Sequence, residues 1–108
     1  MIKYKKAYRQ GEILFFKVDE FPERHKKATR IPSGVIREGE KEGHEHKVCG
    51  GKAVLSLFDD KEEGTLDVKE TTTITHPEHA DIKLPPGKYV TKIQKEATGK
   101  NTHASVKD

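Results

Sequence analysis

Four of the six histidines lie in two short pairs, His44/His46 in the sequence GHEH and His76/His79 in the sequence HPEH. Imidazole nitrogens are ordinary ligands for zinc, iron and nickel. We therefore expect one divalent transition-metal ion of one of these kinds, with all four histidines as ligands. A metal held by imidazoles can be structural or catalytic, so the pairs predict a site and leave its reaction open.

Local geometry could prearrange each histidine pair. On an extended strand, side chains two residues apart share a face, which places His44 and His46 together, about 7 Å apart. In the second pair, Pro77 presets φ for a type I turn and would bring His76 and His79 within about 7 Å at Cα. These patterns do not decide whether the two pairs meet.

Two carboxylates lie near the histidines in sequence and are the candidate catalytic residues. Glu40 precedes His44 by four positions, and Glu78 stands inside the second pair. Either could be a further ligand, a partner of a ligand or a general base, although exposed glutamates are more often solvated charges. Cys49 ranks below the histidines, because it lies three residues past His46 and would point to the opposite face of a regular strand. We expect it to pack as a small core or half-buried residue.

The elements that must position these side chains read as short strands. Runs rich in β-branched and aromatic residues predict strands at about 12–18, 35–37, 65–68, 71–75, 80–84 and 89–93. Residues 44–58 fit either two strands, at 44–48 and 53–58, or one strand bent at Gly50 and Gly51. Residues 22–34, with their basic stretch at 24–30, predict a surface loop. The Pro85-Pro86-Gly87 turn predicts that its two flanking strands pair as a hairpin. No apolar period of 3.6 residues persists, so helices should be few or absent.

The size and composition predict one small all-β domain. The chain has 108 residues, of which 31% are hydrophobic and 36% charged. We expect a single domain at 1–94, built as a small β-barrel or sandwich, and a flexible tail at 95–108. A core this lean would gain from a metal or from a second subunit, so a homodimer is an expectation too.

Charge and composition make several function classes less favoured. The formal net charge is +3, but basic residues are interleaved with acids and aromatics are few, which disfavours nucleic-acid binding. No apolar run reaches the roughly 18 residues of a membrane span. A single cysteine and a start without a signal-peptide core predict a cytoplasmic protein.

Several blocks together resemble an uncharacterised family of small prokaryotic and phage proteins. They are Gly11-Glu12-Ile13-Leu14, Gly43-His44-x-His46, His76-x-x-His79, Leu84-Pro85-x-Gly87-x-Tyr89 and Gln94-x-Glu96. A looser likeness is to the cupins, small metal-binding β-barrels whose first motif carries His-x-His after a glycine. The cupin glutamate that should follow His46 by four or five residues is missing, because Gly50 and Gly51 stand there.

Three functions remain after these exclusions. The preferred prediction is a metal-binding small β-barrel whose reaction is not specified, which would be an enzyme if Glu40 or Glu78 serves as a base beside three metal-binding histidines. The alternative is a structural or interaction protein in which the metal closes the site without turnover. A nucleic-acid-binding module is third, with the basic residues of the first 30 positions on phosphate.

Overall fold

Short strands joined by tight turns make up the structure, a computed structural model that describes residues 3–38 and 44–94. Its ten strands are β1 (Lys6–Gln10), β2 (Ile13–Val18), β3 (Thr29–Arg30), β4 (Val35–Glu38), β5 (Glu45–Cys49), β6 (Lys52–Leu57), β7 (Glu63–Glu70), β8 (Thr72–Thr75), β9 (Ile82–Leu84) and β10 (Gly87–Ile93). A 3₁₀ helix spans Glu23–Lys27. Glu40 and the tail predicted at 95–108 lie outside the described residues.

The strands form two antiparallel sheets. One has the order β1-β2-β10-β7-β6-β3 and the other the order β4-β5-β8-β9. The all-β prediction is confirmed, and the sheets do not close into a barrel over the part of the chain described here. No helix among these residues is long and apolar enough to cross a membrane.

The chain changes sheet at a pair of glycines. The sequence left open whether 44–58 is one bent strand or two, and the structure has two, with β5 in one sheet and β6 in the other. Gly50 and Gly51 make the corner with φ of 75° and 64°. A Cβ on Gly51 would collide with the carbonyl oxygen of Thr71, where the chain returns from β7 to β8. Glycine is therefore required at position 51, where the β5–β6 connection packs against the β7–β8 connection.

The core lies between the sheets and draws on both of them. Its buried members are Ile13, Phe15, Ile36, Leu55, Leu57, Leu66, Val68, Ile74, Leu84 and Tyr89. Burying a large side chain such as Phe15 contributes about 1.5–3 kcal/mol. The buried Tyr89 satisfies its hydroxyl by donating to the Pro85 carbonyl oxygen at 2.6 Å.

The predicted hairpin across Pro85-Pro86-Gly87 is wrong. β9 pairs with β8 in the four-stranded sheet, whereas β10 lies between β2 and β7 in the other sheet. The turn is real, but it carries the chain from one sheet to the other. The burial of Tyr89, Val90 and Thr91 in succession fits a central strand covered on both faces.

Two further elements differ from the sequence prediction. β1 was not predicted, because its sequence KAYRQ is mostly polar, as suits an edge strand that bonds on one side only. The segment 22–34, predicted as a surface loop, contains the 3₁₀ helix and β3. It also buries His25, whose residue exposure is 3%.

Candidate metal centre

The register between β5 and β8 brings the two histidine pairs together. Lys47 of β5 lies opposite Thr75 of β8 in the antiparallel ladder. His46 precedes Lys47 and His76 follows Thr75, so these two histidines stand at the next position along the same pairing. His79 arrives from the connection between β8 and β9, three residues later.

His46, His76 and His79 form a compact triad. One nitrogen from each ring can be chosen so that all three lie within 4.8 Å of one another. The ring centroids of His46 and His76 are 4.4 Å apart, and those of His76 and His79 are 4.5 Å apart. Nitrogens sharing a tetrahedral ion at 2.0–2.1 Å lie about 3.4 Å from one another. Small side-chain rotations would therefore be needed to shorten the nitrogen–nitrogen distances before the triad could bind one ion.

His44 lies beside this triad and outside its group of ligand atoms. It precedes β5, and its ring centroid is 5.9 Å from that of His76. Its Nδ1 is 3.7 Å from a carboxylate oxygen of Glu78. The structure thus places the four predicted ligands in one neighbourhood and brings three of them within reach of one ion.

Glu78 and Cys49, the other described candidates from the sequence, lie outside the triad. The side chain of Glu78 is 65% exposed, so it stands at the rim of the cluster. Its backbone N–H donates to Nδ1 of His76 at 3.0 Å, which fixes that ring in the bend after Pro77. Cys49 is half-buried, with its sulfur 3.6 Å from the Thr75 hydroxyl, and it does not belong to the triad.

The tip of the β1–β2 hairpin borders the triad, which the sequence did not predict. Gln10, with 2% exposure, places its Oε1 2.8 Å from Nδ1 of His46. Gly11 takes φ of 60° in the two-residue turn, and its Cα faces the ring of His79. Glu12 forms an ion pair with Arg37 of β4. The Gly11-Glu12-Ile13-Leu14 block was the sequence signal at this end, but it pointed to no contact with the histidines.

The electrostatic environment favours the neutral form of the His76 ring. Burial lowers the pKa of His76 below its ordinary 6.5, and the positive charges that His79 and His44 carry when protonated lower it further. The carboxylates of Glu78 and Glu12 oppose this effect and are outweighed. A neutral imidazole is the form that binds a metal. In this structure the lone pair on Nδ1 of His76 accepts the Glu78 N–H, which leaves the ring proton on Nε2, so binding an ion would require His76 to release that hydrogen bond.

A second polar cluster lies away from the triad, where the 3₁₀ helix meets β7. Both carboxylate oxygens of Glu63 accept hydrogen bonds from Arg24 at 2.9 Å, and one of them is 2.5 Å from Nε2 of His25. Burial alone would raise the pKa of Glu63, but the hydrogen bonds from His25 and Arg24 outweigh it and lower the pKa. This cluster fastens the basic segment 24–30 to the sheet.

Comparison with known proteins gives one match. The family model described as "Domain of unknown function (DUF8820)" matches residues 9–94. No curated protein and no solved structure matches the chain. The matched range begins one residue before Gln10 and includes every residue of the triad.

Proposed function

We propose that this chain, which belongs to the DUF8820 family, binds one divalent transition-metal ion through His46, His76 and His79. The observation that carries the proposal is the convergence of three imidazoles from two distant segments, with ligand atoms inside 4.8 Å. A set of three neutral nitrogen donors suits zinc, nickel or iron better than magnesium or calcium, which prefer oxygen.

The burial of the triad supports this assignment over chance proximity. His46 is only 5% exposed, while His76 and His79 are half-buried. Imidazole rings that are buried to this extent lose hydration, and they repel one another when they are protonated. A single cation bound by three neutral rings would replace the lost hydration and avoid that repulsion. The site thus disfavours protonated histidines, which supports the binding of one ion in place of the protons.

Three protein ligands leave a coordination position for water or for a substrate atom. A metal held in this way would supply Lewis-acid chemistry and would lower the pKa of a water bound to it. His44 and Glu78 stand at the rim, where their side chains could contact a molecule entering the site. The proposal is therefore an open three-histidine centre, with His44 and Glu78 lining its approach.

A structural role is the second candidate, and the location of the site favours it. The triad lies on the four-stranded sheet, and the hairpin tip of the six-stranded sheet borders it. A bound ion would fasten β5 to the connection after β8 beside the junction of the two sheets. If His44 supplied a fourth nitrogen, the site would be closed and the ion would act as a staple.

Cobalt(II) titration of protein prepared without a histidine tag tests the proposal and separates its two forms. We expect one Co²⁺ per chain, and His46→Gln, His76→Gln and His79→Gln should each weaken binding by at least about tenfold. His103→Gln, which removes a histidine from outside the described residues, is the control and should bind as the parent does.

The His44→Gln variant decides between the open and the closed site. In the open site it leaves the Co²⁺ absorption spectrum and the affinity nearly unchanged. In the closed site it changes the spectrum and weakens binding as much as the triad variants do. Equal, weak binding by the parent and all variants would contradict metal binding altogether.

A further inference from the structure

Gln10 uses every hydrogen-bonding group of its side-chain amide next to the metal centre. Its Nε2 lies 2.8 Å from the Ile74 carbonyl oxygen and 2.9 Å from that of Ala80. Its Oε1 lies 2.8 Å from Nδ1 of His46. An amide NH₂ has two donors, and both are directed at backbone carbonyls that flank the loop carrying His76 and His79.

These contacts fix the orientation of the amide. If the amide were turned over, its oxygen would face the carbonyl oxygens of Ile74 and Ala80, and three acceptors would meet with no donor from the amide between them. The observed orientation satisfies both carbonyls and leaves Oε1 able only to accept. His46 must therefore donate from Nδ1, which places the proton of the neutral ring on Nδ1 and the lone pair on Nε2.

We propose that Gln10 is a positioning residue of the metal centre, which selects Nε2 of His46 as the ligand atom by holding a proton on Nδ1. The metal part of this inference rests on the function proposed above, whereas the tautomer does not. Metal-binding histidines commonly donate their other ring N–H to such a partner, which orients the ring and strengthens its lone pair.

The tip of the β1–β2 hairpin also contacts a second histidine of the triad. Gly11 presents a bare Cα to the ring of His79, and a Cβ there would lie 2.8 Å from its Nε2. Two successive residues of the hairpin tip, Gln10 and Gly11, thus lie against two histidines of the triad, and the six-stranded sheet helps to shape a site carried by the other sheet.

A purely structural role for Gln10 predicts different behaviour. In that case the amide would only tie β1 to β8 and to the segment before β9, and its loss would lower stability without changing the ring of His46. The conservative variant Gln10→Glu separates the two roles. A carboxylate still accepts from Nδ1 of His46, but it cannot donate to the carbonyls of Ile74 and Ala80.

Long-range ¹H–¹⁵N NMR of the metal-free protein at pH 8 measures the tautomer directly. We expect the parent to carry the His46 proton on Nδ1. Gln10→Leu should convert His46 into a mixture of tautomers, and Gln10→Glu should preserve the Nδ1–H form despite lower stability. A parent ring protonated on Nε2 would overturn the inference, and that result needs no variant to fold.

Zinc affinity of the same proteins completes the test. Gln10→Leu should weaken zinc binding about 10- to 100-fold, while Gln10→Glu should stay within a few fold of the parent. Thr72→Val is the matched control, because Thr72 is 1% exposed and donates to the Gly50 carbonyl oxygen at 2.7 Å. It should lose stability and keep zinc affinity. Equal losses in Gln10→Leu and Thr72→Val would overturn the positioning role.

The two proposals can fail separately. If the parent binds no metal but shows the Nδ1–H tautomer, the proposed function fails, and Gln10 still fixes the ring. If the parent binds zinc and Gln10→Leu binds it equally well, the metal centre stands and the positioning role is overturned.

Discussion

Gly11 lies against His79 so closely that a Cβ on residue 11 would be 2.8 Å from Nε2 of the histidine. The contact joins the turn of the β1–β2 hairpin to the connection between β8 and β9, which belong to different sheets. It shows that the candidate metal centre depends on how the two sheets pack as well as on the strand that carries His46.

Gly11→Ala should lower both stability and metal affinity. The φ of 60° costs an L-residue about 1–2 kcal/mol, and the methyl group would also push the ring of His79 from its place. Urea unfolding and zinc titration measure the two effects. Gly50→Ala is the control, because Gly50 has φ of 75° and nothing within 4 Å of its Cβ position. It should lose comparable stability and no zinc affinity, and a similar loss of affinity in both variants would contradict the account.

His76 should titrate below pH 6.5 in the metal-free protein. His44→Gln should raise the midpoint, because it removes a positive charge that lowers the pKa of His76. Glu78→Gln should lower the midpoint further, because it removes a carboxylate that raises that pKa. An NMR titration of the ring protons gives all three midpoints. Shifts of the same sign in the two variants would show that the charges near His76 are assigned wrongly.

The lowered pKa of His76 also sets the sign of a pH effect on folding. As the pH falls below 6.5, the unfolded chain binds a proton at this residue before the folded chain does. The metal-free protein should therefore lose stability between pH 6.5 and the lower folded pKa. Urea unfolding across this range measures the loss, and replacing His76 with glutamine should reduce the slope.

Some of this site could be predicted from the sequence. The spacing within each histidine pair gave the candidate ligands, because strand alternation and a proline turn are local. The meeting of His46 with His76 could not be derived, since it depends on the register between β5 and β8. The sequence did not predict a role for Gln10 for a similar reason, because its three hydrogen-bond partners are distant in the chain. Its own segment also has the polar composition of an edge strand.

In the fold, too, features set by local sequence could be predicted, whereas features set by residues distant in the chain could not. Strand-forming runs predicted most of the strands, because β-branched and aromatic residues favour a half-buried sheet surface. The Pro85-Pro86-Gly87 turn was located correctly, but a turn does not reveal which sheet each flanking strand joins. His25 was expected in a loop, and its burial follows from Glu63, which lies on β7 far along the chain.

Glu63→Gln should destabilise the protein by about 1–3 kcal/mol at pH 7, because the charge-assisted hydrogen bond with Arg24 and the part-buried contact with His25 would be weakened. The pKa of Glu63 is lowered on folding, so its contribution is present above pH 4.5 and lost as the pH falls through the folded value. Urea unfolding should show the difference between parent and variant shrinking in acid. Glu23→Gln is the control, because it removes an 88% exposed carboxylate from the 3₁₀ helix that carries Arg24 and His25. It should change the free energy of unfolding by less than about 0.5 kcal/mol. A difference that grew below pH 4.5 would contradict this assignment.

The central claim is that His46, His76 and His79 bind a metal, and metal content tests it most directly. Protein prepared without a histidine tag and dialysed against metal-free buffer should retain about one divalent ion per chain by elemental analysis. Chelation should lower the melting temperature by roughly 10 °C or more, and added zinc should restore it. Less than about 0.2 ion per chain, together with melting that neither chelator nor added zinc, nickel or iron changes, would contradict the account.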